Sequence, residues 1–397
     1  MLMKRLIILL LIISATVACN NQGIQSHVKL LPPDTSDLLM TDKVQQVFAA
    51  RRKAILDTIG DGILFLRSDY GFDGGRHEYR AASNFWYLTG YGQPGAVISL
   101  SGRSEKPYTF YSRERSIREI IYSGNIPDPG ELIRTWRPDT VMDLSDADRL
   151  IGEAIRSGKS VYIDFRDNQF RSRLTEMLRT GKAPQGLLKD IGPSLAEMRV
   201  FKDDYEVGML RKAVDITGKG IEEVLRVCRP GMYEFEIEAL LEYTWRRNGS
   251  SMPGFESIVG SGENAITLHY SANSRKMEDG DLLLIDLGAE YGYYTSDITR
   301  TIPVNGRFSK EQRDIYDIVL RAQKAAIEEM IPGSAMTAAH ARATGVIMNG
   351  LRDLGLVTDP ECVWQKKFYT IYHINHYLGL DVHDAGSLGI PVQMLRT

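Results

Sequence analysis

The first half of the chain alternates short apolar runs with amphipathic helical patterns. The runs lie at residues 62–66, 96–100 and 161–164, and a helical pattern covers residues 146–155. Short apolar runs between turn residues predict buried strands, whereas apolar residues three and four apart predict helices. Strands and helices that alternate along a chain are typical of an α/β domain. We therefore expect an α/β N-terminal domain over residues 44–192.

The second half begins with two predicted helices. A boundary near residues 192–193 precedes a helix capped by Asp203 or Asp204, whose side chains accept hydrogen bonds from the first backbone N–H groups. This helix ends at residues 229–231, and a second helix runs on to residues 248–249. The apolar residues at helical spacing predict the buried face of the first helix: Val207, Leu210, Val214, Ile221, Val224 and Leu225.

The same order of helix, Pro-Gly and helix returns 102 residues later. Residues 309–312 form a capping box, and the helix that follows ends at residues 331–333. Strand-rich sequence follows the first copy at residues 257–304, and the repeat predicts a matching segment that begins near Lys367. These grouped elements predict an α+β domain over residues 193–397. We expect that domain to be incomplete at its C-terminus, because the second strand segment is cut short.

The first residues have the pattern of a bacterial export signal. Two basic residues precede an apolar run at residues 6–13, which is too short to span a bilayer as a helix. Small residues then lead to Cys19, which resembles a lipoprotein processing site, with plain cleavage as the alternative. We expect a signal peptide over residues 1–19 and a tether over residues 20–43. The protein would be exported, and either periplasmic or held at the membrane only by lipid on Cys19.

Composition adds that the exported part is an ordinary globular chain. Of the 397 residues of the whole sequence 43% are hydrophobic and 25% are charged, and the formal net charge is -3. This balance provides no basic surface for nucleic acid, so we expect no nucleic-acid partner. Cys228 and Cys362 are expected to be two buried free thiols, and a disulfide between them is the alternative.

Two aspartates lie in a hairpin pattern of apolar residues. Asp286 lies in the first apolar run, and Asp297 follows a predicted two-residue turn at residues 291–292. If the residues on either side of that turn pair, Asp286 pairs with Asp297 and their Cβ atoms lie roughly 5 Å apart. Two such carboxylates need a cation or a proton between them, and they suit a hard divalent ion such as manganese. The alternative is a turn cap and a hydrogen bond at a strand end.

Histidines form a second candidate group. His373, His376 and His383 lie within eleven residues of an aromatic, strand-like segment. Imidazole binds metals and exchanges protons near neutral pH, so three in so short a segment favour a functional site over three structural histidines. His269 by itself fits a core histidine as well as a site residue.

Six segments of the chain, in order, resemble motifs of one enzyme family. They lie at residues 84–91, 197–202, 258–264, 286–288, 296–301 and 376–384. The family is the aminopeptidase P branch of the pita-bread metallopeptidases, which are related to prolidase, creatinase and methionine aminopeptidase. The resemblance covers nearly the whole exported chain. It implies an N-terminal domain of the creatinase and aminopeptidase P type, followed by a pita-bread domain.

The resemblance also implies a catalytic site. Asp286, Asp297 and His376 would bind two manganese ions, with Asp297 bridging them and a hydroxide between the metals attacking the scissile carbonyl. His269 and His383 would be catalytic and substrate-binding residues that hydrogen-bond the tetrahedral intermediate. The implied activity is that of an Xaa-Pro aminopeptidase, which removes the first residue from peptides with proline in second position. The N-terminal domain would help to close the site and to form a homo-oligomer.

The sequence departs from the family pattern near its end. The family site includes two further glutamates, and residues 385–397 contain no Asp or Glu. Tyr372 stands where many relatives have histidine, and Asn375 replaces a small residue before His376. We therefore expect a truncated metallopeptidase domain with little or no peptidase activity.

Two other functions stay open. A prolidase-type dipeptidase would apply the same chemistry to Xaa-Pro dipeptides alone. A non-catalytic relative would bind proline-containing peptides and hydrolyse nothing, as the missing glutamates favour. A creatinase-like hydrolase is disfavoured, because that branch lacks the paired metal aspartates that are present here as Asp286 and Asp297.

Overall fold

The computed structural model describes residues 41–69, 79–184, 186–371 and 374–385. The expected signal peptide, Cys19 and nearly all of the tether lie outside these residues, so what the sequence predicts for them stays a prediction. Within the described ranges, no helix has both the length and the apolar composition that a membrane span requires.

A mixed six-stranded sheet forms the centre of the N-terminal domain. Its strands are β1 (Ile63–Arg67), β2 (Val97–Ser101), β3 (Tyr108–Ser112), β4 (Thr140–Asp143), β5 (Val161–Ile163) and β6 (Leu188–Asp190). They are ordered β4-β3-β2-β1-β5-β6, and β1 pairs antiparallel with β2 but parallel with β5. The helices of this domain are α1 (Asp42–Ile59), α2 (Ser83–Thr89), α3 (Ile117–Ser123), α4 (Pro129–Trp136), α5 (Leu144–Arg156) and α6 (Asn168–Thr180). The predicted α/β class is confirmed, as are the three predicted strands and the helix at residues 146–155.

Helices cover both faces of this sheet. Successive side chains of a strand point to opposite faces, so β1 contributes to two cores. Leu64 lies in the core that includes Phe48 of α1, and Phe65 lies in the core that includes Ile151 of α5. The almost continuous burial of β1 explains why its sequence is an apolar run and not an alternating pattern.

In its described residues, the second domain combines two small antiparallel sheets with six α-helices. The helices are α7 (Gly192–Val200), α8 (Asp204–Val227), α9 (Glu234–Arg247), α10 (Lys310–Glu329), α11 (Met336–Asp353) and α12 (Val363–Tyr369). The strands are β7 (Ile258–Ser261), β8 (Leu282–Leu287), β9 (Glu290–Tyr291), β10 (Tyr294–Thr295) and β11 (Ile298–Pro303). One sheet has the order β11-β8-β7, and β9 pairs with β10 as its continuation into a hairpin.

The predicted helix caps are confirmed. Asp203 is the N-cap of α8, where its side chain accepts from the Glu206 N–H and the Glu206 side chain accepts from the Asp203 N–H. Ser309 and Gln312 form the same reciprocal arrangement at the start of α10. Between the two residues that the sequence offered as the cap of α8, the structure therefore selects Asp203.

The buried face of α8 is only partly as predicted. Val214 and Leu225 are 40% and 58% exposed, whereas Ala213 and Ile216 are fully buried and share a core with Trp245 of α9. Apolar residues spread around more of α8 than its neighbours can cover. Helical spacing identifies such a stripe, but which edge of it is buried depends on the position of the partner helix.

The predicted strand segment that begins near Lys367 is wrong for residues 367–371 and 374–385, whereas its other residues lie outside the part of the chain that the structure describes. Lys367 lies in helix α12, and residues 374–385 form neither helix nor strand. A strand needs a ladder of backbone hydrogen bonds to a neighbour. Residues 374–385 have one such bond to β10, from Thr295 N to the Gly379 carbonyl at 3.0 Å, and are otherwise held by the side-chain contacts described below.

Cys228 and Cys362 are free thiols, as expected. Both are half-buried, whereas fully buried thiols were predicted. The reason is that Cys228 is the C-cap of α8 and Cys362 is the N-cap of α12. Helix ends lie close to the surface, where their unpaired backbone groups can reach water.

Gly288, between β8 and β9, allows a close backbone approach that can be tested. A Cβ atom at this position would overlap the carbonyl oxygen of Ser296, whereas a Cβ atom at Gly208 on α8 would meet nothing within 4 Å. The added methyl group in Gly288→Ala must push the backbone at residue 288 away from that at Ser296. We therefore expect the variant to lower the free energy of unfolding by about 3 kcal/mol. Gly208→Ala is the control and should be neutral or stabilising by up to about 1 kcal/mol. Urea unfolding measures both, and equal midpoints for the two variants would contradict the prediction.

Candidate active site

The hairpin that carries the two aspartates turns one residue later than predicted. Its two-residue turn is Gly292-Tyr293, with φ values of 56° and 70°, and Tyr291 pairs with Tyr294. Positive φ at both central residues gives the turn whose twist matches that of paired strands. The predicted turn at Tyr291-Gly292 is wrong because Gly292 takes the first positive-φ position and a tyrosine takes the second.

The later turn shifts the strand register by two residues. Asp286 pairs with Thr299 and not with Asp297, and the Thr299 hydroxyl donates to Asp286 Oδ1 at 2.7 Å. Side chains alternate between faces with a period of two, so an even shift keeps Asp297 on the face of Asp286. Burial raises the pKa of Asp286, the Thr299 hydroxyl lowers it, and the nearby Asp297 carboxylate raises it again, with a net increase. The predicted direct pairing is wrong, whereas the predicted proximity is confirmed.

His376 contacts this aspartate pair directly. Its Nε2 atom lies 3.1 Å from Asp297 Oδ2, and its Nδ1 atom lies 3.0 Å from the carbonyl oxygen of Tyr377. The contact with Asp297 raises the pKa of His376, against the effect of burial. When Nδ1 donates to the Tyr377 carbonyl, the lone pair of the neutral ring is on Nε2, which faces the aspartates.

Two further histidines lie near the aspartates and His376. His383 is on the same segment as His376, and His269 is on the loop after β7. The ring centroids of His376 and His383 are 4.2 Å apart. Burial first, and then the charges of His376 and His269, lower the pKa of His383. His269 also lies near Asp286, whose pKa it lowers. His383 and His269 are both exposed, so the structure brings all five predicted site residues together at a surface that a peptide can reach. His373 lies outside the described residues.

The side chains at the site fit a divalent cation by their chemistry. Two carboxylates and one imidazole are donors that hard and borderline divalent ions accept. Burial first, and then the charge of Asp297, raise the pKa of Asp286, and a bound cation would favour its charged form. In the ranges that the structure describes, no three His, Cys, Asp or Glu side chains are arranged so that they could hold an ion. His376 and Asp297 contact each other instead.

Buried ion pairs hold the histidine segment, which we define as residues 374–385. Arg199, at the end of α7, donates to Asp381 Oδ2 at 2.8 Å and to Asp384 Oδ1, and Lys202 Nζ lies 2.9 Å from Asp384 Oδ2. Arg199 and Asp384 are 1% and 2% exposed. Residues 197–202 resemble a family motif, but no local pattern in the sequence predicts that their two cations pair with the acids on either side of His383.

A further cation joins the histidine segment to the N-terminal domain. Arg80 donates to the carbonyl oxygen of Leu380 and, at 2.7 Å, to Glu290 Oε2 of β9. Ser83, at the start of α2, donates to Asp381 Oδ1 at 2.6 Å. No local pattern marks Arg80, because these partners are 300 and 210 residues away in the sequence.

Two family profiles match this chain. The profile described as aminopeptidase P, N-terminal domain, matches residues 48–162, and that of metallopeptidase family M24 matches residues 208–393. The Xaa-Pro aminopeptidase of Escherichia coli is 31% identical over 368 residues, which cover 88% of this chain and 83% of that protein. The Xaa-Pro aminopeptidase of Haemophilus influenzae is 32% identical over 325 residues, or 80% and 75% of the two chains. This chain belongs to the aminopeptidase P family of M24 metallopeptidases.

Solved structures of the aminopeptidase P family have the same architecture. The aminopeptidase PepP of Pseudomonas aeruginosa superposes with a TM-score of 0.82 at 34% identity, over 89% of this chain and 84% of that one. A variant of Escherichia coli aminopeptidase P in complex with substrate gives a TM-score of 0.80 at 30% identity, over 89% and 84%. The expected order of an aminopeptidase P N-terminal domain and a pita-bread domain is confirmed. Membership of a metallopeptidase family also implies the use of a divalent metal.

Arg199→Met tests whether the buried ion pairs stabilise this aminopeptidase P fold. The variant leaves the buried Asp384 without its main partner, and we expect a loss of about 3 to 5 kcal/mol in the free energy of unfolding. Arg226→Met is the matched control, because Arg226 pairs with Glu223 on the surface of α8 and such pairs add little. Thermal unfolding of both variants is the measurement. Similar melting temperatures would show that the Arg199 contacts do not matter.

Proposed function

We propose that this chain is an Xaa-Pro aminopeptidase, which releases the first residue of peptides that have proline in second position. The observation that carries the proposal is the meeting of five side chains at one exposed site: Asp286, Asp297, His376, His383 and His269. They combine acidic donors for a cation with imidazoles for a peptide. The similarity to Xaa-Pro aminopeptidases over most of the chain supports the same activity.

The side chains divide into cation ligands and peptide contacts. When bound, a divalent metal supplies a Lewis acid and makes a coordinated water more acidic. We assign Asp286, Asp297 and His376 as its ligands, and manganese as the ion, because carboxylate oxygens predominate. His269 and His383 are exposed beside these ligands and are assigned to hydrogen bonds with the peptide. The lowered pKa of His383 favours the neutral ring near pH 7, which can both donate and accept a proton.

Hydrolysis of an Xaa-Pro-Xaa tripeptide with added manganese tests this assignment. Asp297→Asn removes a negative charge and a ligand atom, so we expect kcat/KM to fall roughly a hundredfold or more. Calorimetric titration should show weaker manganese binding by the same variant. Asp279→Asn is the control, because Asp279 is an exposed acid that accepts from Asn305 outside the site.

Each other outcome points to a different function. Equal rates for the wild type and Asp297→Asn would contradict the assigned site. Cleavage of Xaa-Pro dipeptides alone would replace the proposal with a prolidase-type dipeptidase. Binding of proline-containing peptides without hydrolysis by the wild type would replace it with a non-catalytic relative.

We further propose that the protein is exported and carries a lipid on Cys19. The support is the sequence alone, in which basic residues, an apolar run at residues 6–13 and small residues precede Cys19. Cys19→Ser should abolish the incorporation of labelled palmitate in a bacterial host and move the protein from the membrane to the soluble fraction. Labelling that persists in the variant would contradict lipidation at this position.

A further inference from the structure

His269 lies on a segment with little regular structure. Between β7 and β8 the chain forms one short 3-10 helix, Gly262–Ile266, and His269 follows it on the surface. A loop of this kind takes one position only when other contacts hold it, because its own backbone hydrogen bonds are few. The place of His269 at the site therefore depends on what fixes this segment.

The buried carboxylate of Glu234 is the acceptor on which the segment converges. Glu234 is the first residue of α9 and is 0% exposed. Its Oε1 accepts from Ser261 N at 2.6 Å and Ser261 Oγ at 2.7 Å, and its Oε2 accepts from Tyr270 Oη at 2.9 Å and Arg275 N at 2.8 Å. Asn264 Nδ2 also donates to Oε1 at 3.2 Å. Burial acts to raise the pKa of Glu234, but these hydrogen bonds outweigh it and lower the pKa, so the acceptor is a carboxylate.

The donors lie on both sides of His269 in the sequence. Ser261 is the last residue of β7, Tyr270 is the direct neighbour of His269, and Arg275 lies between His269 and β8. The Glu234 N–H also donates to the Arg275 carbonyl at 3.0 Å, so backbone and side chain hold the same end. We propose that Glu234 is a positioning residue that fixes His269 at the peptide site by holding the chain before and after it. The role of His269 in binding a peptide rests on the function proposed above, whereas the position that Glu234 gives to His269 does not.

Glu236 separates this role from a simple effect on the helix. Acidic residues in the first turn stabilise a helix through its dipole, and both Glu234 and Glu236 lie in the first turn of α9. The exposed Glu236 side chain accepts from the Tyr233 N–H at 2.7 Å and completes the capping box. That contact stays within the helix start. Glu236→Gln is therefore a matched control that alters the same turn and leaves the loop contacts in place.

Hydrogen exchange of the full chain tests the positioning directly. Glu234→Gln turns one acceptor oxygen into a donor that faces N–H and O–H groups, so we expect amide exchange over residues 261–275 to rise roughly tenfold or more. Exchange in the rest of the second domain should stay as in the wild type. Glu236→Gln should affect only the start of α9. Unchanged exchange over residues 261–275 in Glu234→Gln, or an equal rise throughout the domain, would overturn the proposal.

Peptide kinetics then connect the loop to His269. We expect Glu234→Gln to raise KM for the tripeptide roughly tenfold, and to have little further effect when His269 is already alanine. Additive effects of Glu234→Gln and His269→Ala would overturn the connection. A wild type that hydrolyses nothing would refute the proposed function, while the exchange experiment would still decide whether Glu234 holds the loop.

Discussion

The buried contacts of Arg199 with Asp381 and Asp384 are the constraint on which the site depends. Residues 374–385 carry two of its histidines but form neither a helix nor a strand themselves. A carboxylate as buried as that of Asp384 is stable only with its charge paired and its oxygens hydrogen-bonded, and Arg199 and Lys202 supply both. Because removing one partner leaves an isolated charge, alternative positions of the segment are costly. The ion pairs thus favour one arrangement of His376 and His383.

The site uses two kinds of support for its two kinds of side chain. Asp286 and Asp297 lie on a paired hairpin, where backbone hydrogen bonds between strands limit their movement. The histidines lie on irregular segments, and buried acids hold those segments through several donors at once. Asp384 does so for residues 374–385, and Glu234 does so for the loop of His269. A charged acceptor with many partners can fix irregular chain as firmly as a strand ladder does.

The N-terminal domain takes part in this support. The turn of the hairpin places Tyr293 against Trp86 of α2, with ring centroids 4.7 Å apart and planes 12° from parallel. Arg80 also contacts Tyr293, with its guanidinium 4.8 Å from the centre of the ring. The same arginine pairs with Glu290. The one-residue difference in the turn therefore has a structural consequence, because it places Tyr293 at the tip, where its ring stacks on Trp86 of the N-terminal domain. Substitutions in the N-terminal domain at these contacts should therefore alter the position of the hairpin at the active site.

The class of each domain and the strand that carries Asp286 follow from the sequence alone, since they depend on residues close together in the chain. The sequence limited the cap of α8 to Asp203 or Asp204, and the structure selects Asp203. The five site residues were also predicted, because each lies in a short motif of contiguous residues that can be recognised in the sequence. The strand register and the helical state of Lys367 were not, since each depends on which surfaces meet. The same holds for the residues that position the site. Arg199 and Asp384 are 185 residues apart, and only the folded chain brings their charges together in a buried position.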